Sequence, residues 1–229
     1  MEFVMVPGGW QGGWAFGSVA GELQRLGHRV EAVTLAGLEL EGPADVERPA
    51  NLDAHIDQVA AIVEQRDGTS VVLCGHSYAG LVIAGVADRL GDRLEHLVFI
   101  DAYVPDDGDS CWSLTSDIFR EMFIAGARAD GRWVGVPEGM DPRARAHPLA
   151  SFVQAVRLEG STWPALSRTY ISGGEWAGSP FLELTERLRN DPTWRVHEIP
   201  VGHNIARRDP QRLAAVLDAL PSADGAVAR

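Results

Sequence analysis

The sequence contains no lysine, because all 20 of its basic residues are arginine. This absence excludes a Schiff-base lysine, a pyridoxal-phosphate lysine, a serine–lysine nucleophile pair and a P-loop lysine. The 32 acidic residues give a formal net charge of −12. A nucleic-acid partner needs a basic surface, so the charge balance argues against one. The abundance of alanine, glycine and arginine makes coding bias the simplest reason for the missing lysine.

Cysteine and long apolar runs are also scarce. Cys74 and Cys111 are the only two cysteines, too few for a disulfide framework or a cysteine-rich zinc site. We therefore expect a cytoplasmic protein with two reduced thiols. The N-terminus lacks the features of a signal peptide, and no apolar run approaches the roughly 20 residues of a membrane span. We therefore expect no association with a membrane.

Short apolar runs alternate with amphipathic segments of helix length. The runs predict six strands, at residues 3–6, 29–33, 70–74, 94–100, 168–172 and 194–199. Apolar strands that alternate with helices predict an α/β fold, in which helices cover both faces of a parallel sheet.

Residues 102–167 interrupt this alternation, because they contain helical pieces and loops but no convincing strand. They predict a helical cap inserted after the strand that ends near Asp101. The 229 residues then form a single domain with a core of residues 1–101 and 168–220, the cap, and a frayed tail at residues 221–229.

The strongest chemical signal lies in residues 71–80, Val-Val-Leu-Cys-Gly-His-Ser-Tyr-Ala-Gly. Ser77 stands between a buried strand and a predicted helix over residues 77–90, which is the arrangement of a nucleophile elbow. Small residues must flank the serine because strand and helix approach closely at this turn. Ala79 occupies the last position of the usual G-x-S-x-G pattern, and Gly80 follows it. A serine that only caps the helix is the alternative.

Four motifs make the chain resemble the α/β-hydrolases. They are Val-Pro-Gly-Gly-Trp-Gln-Gly-Gly-Trp at 6–14, Gly-His-Ser-Tyr-Ala-Gly at 75–80, Phe-Ile-Asp-Ala-Tyr-Val-Pro at 99–105 and Gly-His-Asn at 202–204. The resemblance covers residue 3 to about residue 220. Within the family, the chain most resembles a compact branch. That branch holds plant hydroxynitrile lyases, salicylate-type methyl esterases and small bacterial esterases. It usually begins the first loop with His-Gly, whereas Pro7 replaces the histidine here. The resemblance implies an α/β-hydrolase fold.

The glycine-rich loop after the first strand predicts an oxyanion hole. Glycines let backbone N–H groups face a reacting carbonyl, and donors aimed at a developing oxyanion contribute a few kcal/mol each. The backbone N–H groups of Gly9 and of Tyr78, the residue after the serine, are the expected donors. An ordinary glycine-rich turn is the alternative.

His203 is the expected general base because it follows the last strand, and the fold places its residues in the order nucleophile, acid, histidine. The other histidines lack this placement. We expect His55 on a helix surface, His147 in the cap within reach of substrate, and the His76 ring pointing away from the reacting face.

The acid departs from the usual pattern of the family. An aspartate usually follows the strand at 168–172, and that position falls on Trp176 here. Asp101 is the preferred candidate, because an aspartate that ends an apolar strand needs a partner, and His203 Nδ1–H would supply it. Glu175 is the less favoured candidate, and the absence of any functional acid is the third alternative.

These residues predict a serine hydrolase, either an esterase, a thioesterase or a lactonase. It would act through an acyl-enzyme on a small or medium apolar ester, without a metal or an organic cofactor. The predicted substrate-binding residues are Trp10, Trp112, Phe123 and Trp133.

Two other functions remain open. One is a lyase or cyclase that uses the same serine and histidine, and the other is a non-catalytic binder of a small ligand. Hydroxynitrile lyases use a lysine for the cyanide charge, and this chain lacks one. Compact members of the branch are often dimers, so a homodimer also remains open.

Overall fold

The computed structural model describes residues 1–41, 48–66, 71–160, 166–176 and 178–221. Six strands form one sheet in the order β2-β1-β3-β4-β7-β8, and all neighbouring strands are parallel. The strands are β1 (Glu2–Val6), β2 (Arg29–Ala32), β3 (Val71–His76), β4 (Leu94–Ile100), β7 (Ser167–Gly173) and β8 (Trp194–Ile199). The predicted six-stranded α/β sheet is confirmed.

Helices cover both faces of this sheet. They are α1 (Gly17–Arg25), α2 (Leu52–Glu64), α3 (Ala79–Leu90), α4 (Cys111–Leu114), α5 (Asp117–Gly126), α6 (Leu149–Val153), α7 (Leu182–Arg189), α8 (Ile205–Arg208) and α9 (Pro210–Asp218). Short 3₁₀ turns precede α1 and β4, at Gly13–Phe16 and Gly91–Arg93. Within the described ranges, no helix has both the length and the apolar character needed to span a bilayer.

The central strands are apolar on both sides because both sides are buried. In β1, Phe3 and Met5 pack with residues of α1 and α9, whereas Val4 and Val6 pack with residues of α2 and α3. Burying each such side chain contributes about 1.5–3 kcal/mol. Two apolar cores, one on each face, therefore hold the sheet rigid beneath the loops at its carboxyl edge.

Residues 102–166, between β4 and β7, form the segment that we call the cap segment; residues 161–165 of it lie outside the described ranges. It contains α4, α5 and α6, as a helical cap requires. It also contains two-residue strands, β5 (Trp133–Val134) and β6 (His147–Pro148), which pair antiparallel. The expectation of no strand here is wrong, because strands this short carry no alternation of apolar residues. Most of the predicted frayed tail, residues 222–229, lies outside the described ranges.

Helix α3 begins at Ala79 and not at the predicted Ser77, because Ser77 has a φ of 55° and is left-handed. Gly80, in the first turn of α3, lies directly against the chain that leaves β4. A Cβ added at Gly80 would stand 1.9 Å from the Tyr103 carbonyl oxygen. Gly80 thus performs the close-packing role that the motif requires after its serine.

Replacing Gly80 with alanine should destabilise the fold, because the clash with Tyr103 involves backbone that must move. Overpacking of this kind costs about 1–3 kcal/mol. Gly21 is the matched control, since a Cβ added there, within α1, meets nothing within 4 Å. Gly21→Ala should stabilise by about 0.5–1 kcal/mol through helix propensity. Urea unfolding measures both; a Gly80→Ala variant as stable as the wild type would refute the close approach.

Candidate active site

Ser77 lies on a strained turn between β3 and α3. Its φ of 55° is in the left-handed region that non-glycine residues rarely adopt. Its N–H donates to the Ile100 carbonyl at 3.3 Å, and its own carbonyl accepts from the Tyr103 N–H at 3.2 Å. These bonds fix the turn to the chain around the end of β4. The serine therefore stands at the carboxyl edge of the sheet, where open α/β sheets carry their sites.

Asp101 and His203 form a hydrogen-bonded pair at the same edge. Asp101 follows β4, is 1% exposed, and has its Oδ2 atom 2.7 Å from His203 Nδ1. Its Oδ1 atom accepts from the Gly173 N–H at 3.0 Å. Because a carboxylate can only accept, the imidazole carries its proton on Nδ1 and leaves Nε2 able to accept one. This is the tautomer that a general base needs.

Glu175, the other candidate acid, is exposed in the loop after β7, where its N–H donates to the Val201 carbonyl at 3.1 Å. The structure thus brings Asp101 to the Nδ1 atom of His203. Trp176 occupies the position where the sequence pattern led us to look for an aspartate. Its ring packs on the His203 imidazole, with 4.4 Å between ring centroids.

His76 packs on the imidazole as well, with its ring centroid 4.5 Å from that of His203. Its Nε2–H donates to the His203 carbonyl at 3.0 Å. The expectation that its ring points away from the reacting face is wrong, because it lines the cavity beside Ser77. Burial and the neighbouring His203 lower the pKa of His76 to about 3, so this ring stays neutral. Its contacts and those of Trp176 hold His203 in one orientation.

The predicted oxyanion loop approaches the serine closely. Gly8, Gly9 and Tyr78 line the same cavity as Ser77. A Cβ added at Gly8 would lie 2.9 Å from the Ser77 Cβ, and one added at Gly9 would lie 3.0 Å from the Phe152 ring. Only residues without a side chain allow the loop to come this near, so its backbone faces the serine.

A cavity of about 200 Å³ opens above Ser77 and His203. Its apolar wall is built mainly from the cap segment and from the loop after β7, with Trp10, Phe119, Met122, Phe123, Met140, Phe152, Trp176 and Phe181. Gln11 and Asn204 add a polar corner, where Gln11 Nε2 donates to Asn204 Oδ1 at 2.8 Å. Among the described residues that line the cavity, none has an acidic or guanidinium side chain. The cavity suits a small, uncharged, largely apolar molecule.

The four aromatic residues predicted to bind substrate are divided by the structure. Trp10 and Phe123 line the cavity, whereas Trp112 and Trp133 do not. Trp112 packs against the hydrophobic core, and the Trp133 ring packs on Gly37. Residue type alone does not show which side of a helix, strand or loop faces the cavity, so the sequence could not separate the two pairs.

Phe152, Trp176 and Phe181 line the cavity but were not among the residues predicted to bind substrate. For Trp176 a signal existed, since it occupies the usual place of an acid next to the histidine. In the described ranges, no group of three or more histidine, cysteine, aspartate or glutamate side chains is arranged to hold a metal ion.

The sequence pattern of the alpha/beta hydrolase family matches residues 3–219 of the chain. The chain belongs to the alpha/beta hydrolase family. This hydrolase is 32% identical to the carbendazim hydrolyzing esterase of Nocardioides sp. (strain SG-4G), over 96% of its own length and 99% of that protein. It is 30% identical to the (S)-hydroxynitrile lyase of Manihot esculenta, over 46% of its length and 41% of that protein.

The fold of the hydrolase also matches solved structures. One is an extracellular alpha/beta-hydrolase from a Paenibacillus species, described as sharing structural and functional homology with tobacco salicylic acid binding protein 2. The TM-score is 0.79, with 22% sequence identity, over 95% of this chain and 97% of that one. This likeness shows the shared fold.

Two more histidines of the hydrolase are fully buried. His55 donates from Nε2–H to the Ala36 carbonyl at 3.0 Å and accepts at Nδ1 from the Tyr78 hydroxyl at 2.9 Å. Its expected place on a helix surface is therefore wrong. His147, expected to reach substrate, is 0% exposed and does not line the cavity. Burial lowers the pKa of both rings below the ordinary histidine value, so both are neutral.

We expect the free energy of unfolding to fall as the pH drops from 6.5 towards 4. Burial lowers the pKa of four histidines, to about 3 for His76, to about 4 for His96 and in the same direction for His55 and His147. The unfolded chain then binds protons that the folded chain rejects, so stability rises with pH in this window. Each histidine contributes up to about 1.4 kcal/mol per pH unit.

Urea unfolding at about pH 7, 6 and 5 measures this slope, above the range in which most carboxylates titrate. His96→Leu is the matched variant, because His96 contacts Thr169 at the far end of β4 from Asp101. This variant should lower the slope of the free energy of unfolding against pH by the contribution of about one proton, which is about 1.4 kcal/mol per pH unit. A free energy of unfolding that stays constant between these pH values would rule out neutral buried histidines.

Proposed function

We propose that this hydrolase is a serine esterase with Ser77 as nucleophile, His203 as general base and Asp101 as the acid that orients the histidine. The 2.7 Å contact between His203 Nδ1 and Asp101 Oδ2, beside the cavity that Ser77 lines, carries the proposal. The similarity to the Nocardioides esterase over nearly the whole chain supports ester hydrolysis.

The reaction begins when Ser77 Oγ attacks the ester carbonyl and His203 Nε2 takes the serine proton. A tetrahedral intermediate forms, with the former carbonyl oxygen as an oxyanion. His203 then gives the proton to the departing alkoxide, which leaves as an alcohol and yields the acyl-enzyme. Water, deprotonated by the same histidine, attacks the acyl carbon; the bond to Ser77 Oγ then breaks, His203 returns the proton to that oxygen, and the acid is released. Asp101 stabilises the imidazolium in both halves of the cycle.

The backbone N–H groups of Gly9 and Tyr78 are the proposed donors to the oxyanion. Both residues line the cavity with Ser77: Tyr78 follows the serine at the end of β3, and Gly9 lies in the loop after the neighbouring strand β1. Preorganised donors of this kind contribute about 3–4 kcal/mol each to lowering the barrier. The rings of Trp176 and His76 pack on the imidazole of His203 and hold its orientation while its charge changes.

The substrate that we propose is a small or medium carboxylic ester, thioester or lactone without a charge. The volume of about 200 Å³ limits its size, and the apolar wall favours an aromatic or aliphatic acyl group. A carboxylate on the substrate would be desolvated there without a cationic partner, which is costly. Methyl benzoate should therefore be hydrolysed with a higher kcat/KM than its para-carboxylate derivative.

A lyase or cyclase that uses the same serine and histidine is the second candidate. The similarity to the hydroxynitrile lyase favours it, although that match covers only 46% of the chain. The chain has no lysine to balance a cyanide charge, so cyanide release of that kind is disfavoured. Product analysis separates the candidates, because a hydrolase yields an acid and an alcohol from an ester.

A fluorophosphonate probe should label Ser77 at neutral pH, because an activated serine displaces fluoride and becomes phosphonylated. Tryptic cleavage at Arg66 and Arg89 isolates the labelled serine in one peptide for mass spectrometry. Ser77→Ala is the control and should show neither label nor turnover of 4-nitrophenyl butyrate. An unlabelled wild-type protein would instead favour a non-catalytic binder.

Asp101→Asn should lower kcat by about 10³–10⁴-fold, because an amide favours the wrong imidazole tautomer. Glu175→Gln is the matched control, since Glu175 is exposed and its variant should keep kcat within about twofold. Initial rates with 4-nitrophenyl butyrate measure both. Loss of kcat in Glu175→Gln with retention in Asp101→Asn would reverse the assignment of the acid.

A further inference from the structure

Trp10, the residue after the proposed oxyanion donor Gly9, is held by the cap segment at each of its polar groups. Its backbone N–H donates to His147 Nδ1 at 3.2 Å, and its carbonyl accepts from the Arg145 N–H at 3.0 Å. Its indole Nε1–H donates to the carbonyls of Val134 and Gly135, at 3.0 and 3.1 Å. The cap segment thus fixes this part of the oxyanion loop.

Trp10 needs this support because its φ is 64°. A tryptophan in the left-handed region is strained, and such a conformation persists only where surrounding contacts determine it. The hydrogen bond to His147 acts directly on the peptide between Gly9 and Trp10. That peptide sets the direction in which the preceding Gly9 N–H points.

The protonation state of His147 is fixed by its partners. A backbone N–H can only donate, so His147 Nδ1 must be unprotonated where it meets Trp10. The Nε2 atom then carries the proton and donates to Ser151 Oγ at 2.9 Å, and that hydroxyl donates to the Pro148 carbonyl at 2.8 Å. The ring is therefore neutral and held at both nitrogen atoms.

The ring of His147 also packs on two side chains that lie next to the proposed oxyanion donors. It stacks on Phe152 with 4.1 Å between centroids and 9° between planes, and the Phe152 ring in turn covers Gly9. Its edge meets the Tyr78 ring at 5.0 Å. His147 thus contacts the strained loop and the elbow without lining the cavity.

We propose that His147 is a positioning residue for the oxyanion hole, through which the cap segment sets the direction of the Gly9 N–H. This proposal rests on the esterase function proposed above. Its Nδ1 atom holds the Gly9–Trp10 peptide, so the loop is aligned only while the cap segment is seated. Loss of the acceptor lets the peptide rotate, which weakens the hydrogen bond from the Gly9 N–H to the oxyanion in the transition state.

The test compares four variants of the full chain with 4-nitrophenyl butyrate. His147→Leu and His147→Gln lack an acceptor at the Nδ1 position, whereas His147→Asn retains one at Oδ1. The first two should lower kcat by about 10–100-fold with KM within about threefold, since a misplaced group of this kind costs up to about 100-fold. His147→Asn should recover kcat to within about fivefold of wild type.

His96→Leu is the matched control, because it also removes a buried, hydrogen-bonded histidine but at the far end of β4. It should reduce the unfolding temperature without lowering kcat. Should His147→Leu fail to fold, the contrast between the glutamine and asparagine variants carries the test alone.

A second measurement isolates the oxyanion. With an aryl trifluoromethyl ketone, Ser77 Oγ adds to the carbonyl carbon while His203 takes the serine proton. The carbonyl oxygen then becomes an oxyanion in the oxyanion hole. The aryl methyl ketone of the same shape binds without this addition. His147→Leu or His147→Gln should weaken the trifluoromethyl ketone about as much as kcat/KM falls, and leave the methyl ketone unchanged.

Three outcomes would overturn the proposal. They are an unchanged kcat in His147→Leu and His147→Gln, equal losses of kcat in His147→Asn and His147→Gln, and equal weakening of both ketones. Failure of the esterase function is distinguishable, because the wild type itself would then turn over no ester and form no adduct with the trifluoromethyl ketone.

Discussion

The whole site depends on the close approach of the turn after β3 to the chain that leaves β4. Gly80 makes this approach possible, because any side chain there would collide with the Tyr103 carbonyl. Ser77 completes it by accepting a hydrogen bond from the Tyr103 N–H and donating one to Ile100. Ser77, the proposed nucleophile, and Asp101, the residue that follows β4, are thereby fixed relative to each other.

Backbone strain is concentrated at the carboxyl edge of the sheet, where the chain turns sharply after its strands. In the ranges that the structure describes, Trp10, Ser77 and Asp101 are the non-glycine residues with positive φ, at 64°, 55° and 43°. Each turns the chain sharply at or just after the end of a strand and points a backbone or side-chain group into the site. Strain of this kind marks functional positions, where surrounding contacts maintain a conformation that the residue alone would avoid.

Local patterns predicted the sheet, the elbow at Ser77 and the place of His203, because each depends on residues close together in the chain. The partner of His203 Nδ1 could not be decided in this way, since Asp101 and Glu175 follow neighbouring strands and only the loop paths separate them. The same limit applied to His55, which lies on an amphipathic helix but finds its partners in Ala36 and Tyr78. Such partners are tertiary, so a single sequence does not show them.

The cap segment cannot be regarded as a separate cover for the substrate. It supplies most of the apolar wall, and it also bonds every polar group of Trp10. Its outer side is tied to the core as well, where Asp141 forms an ion pair with Arg207 at 2.9 Å. A change in the wall that shifts the cap segment would therefore move the loop beside Gly9 too. In the proposed esterase, selection of the substrate and stabilisation of its transition state would rest on the same contacts, so we expect them to change together.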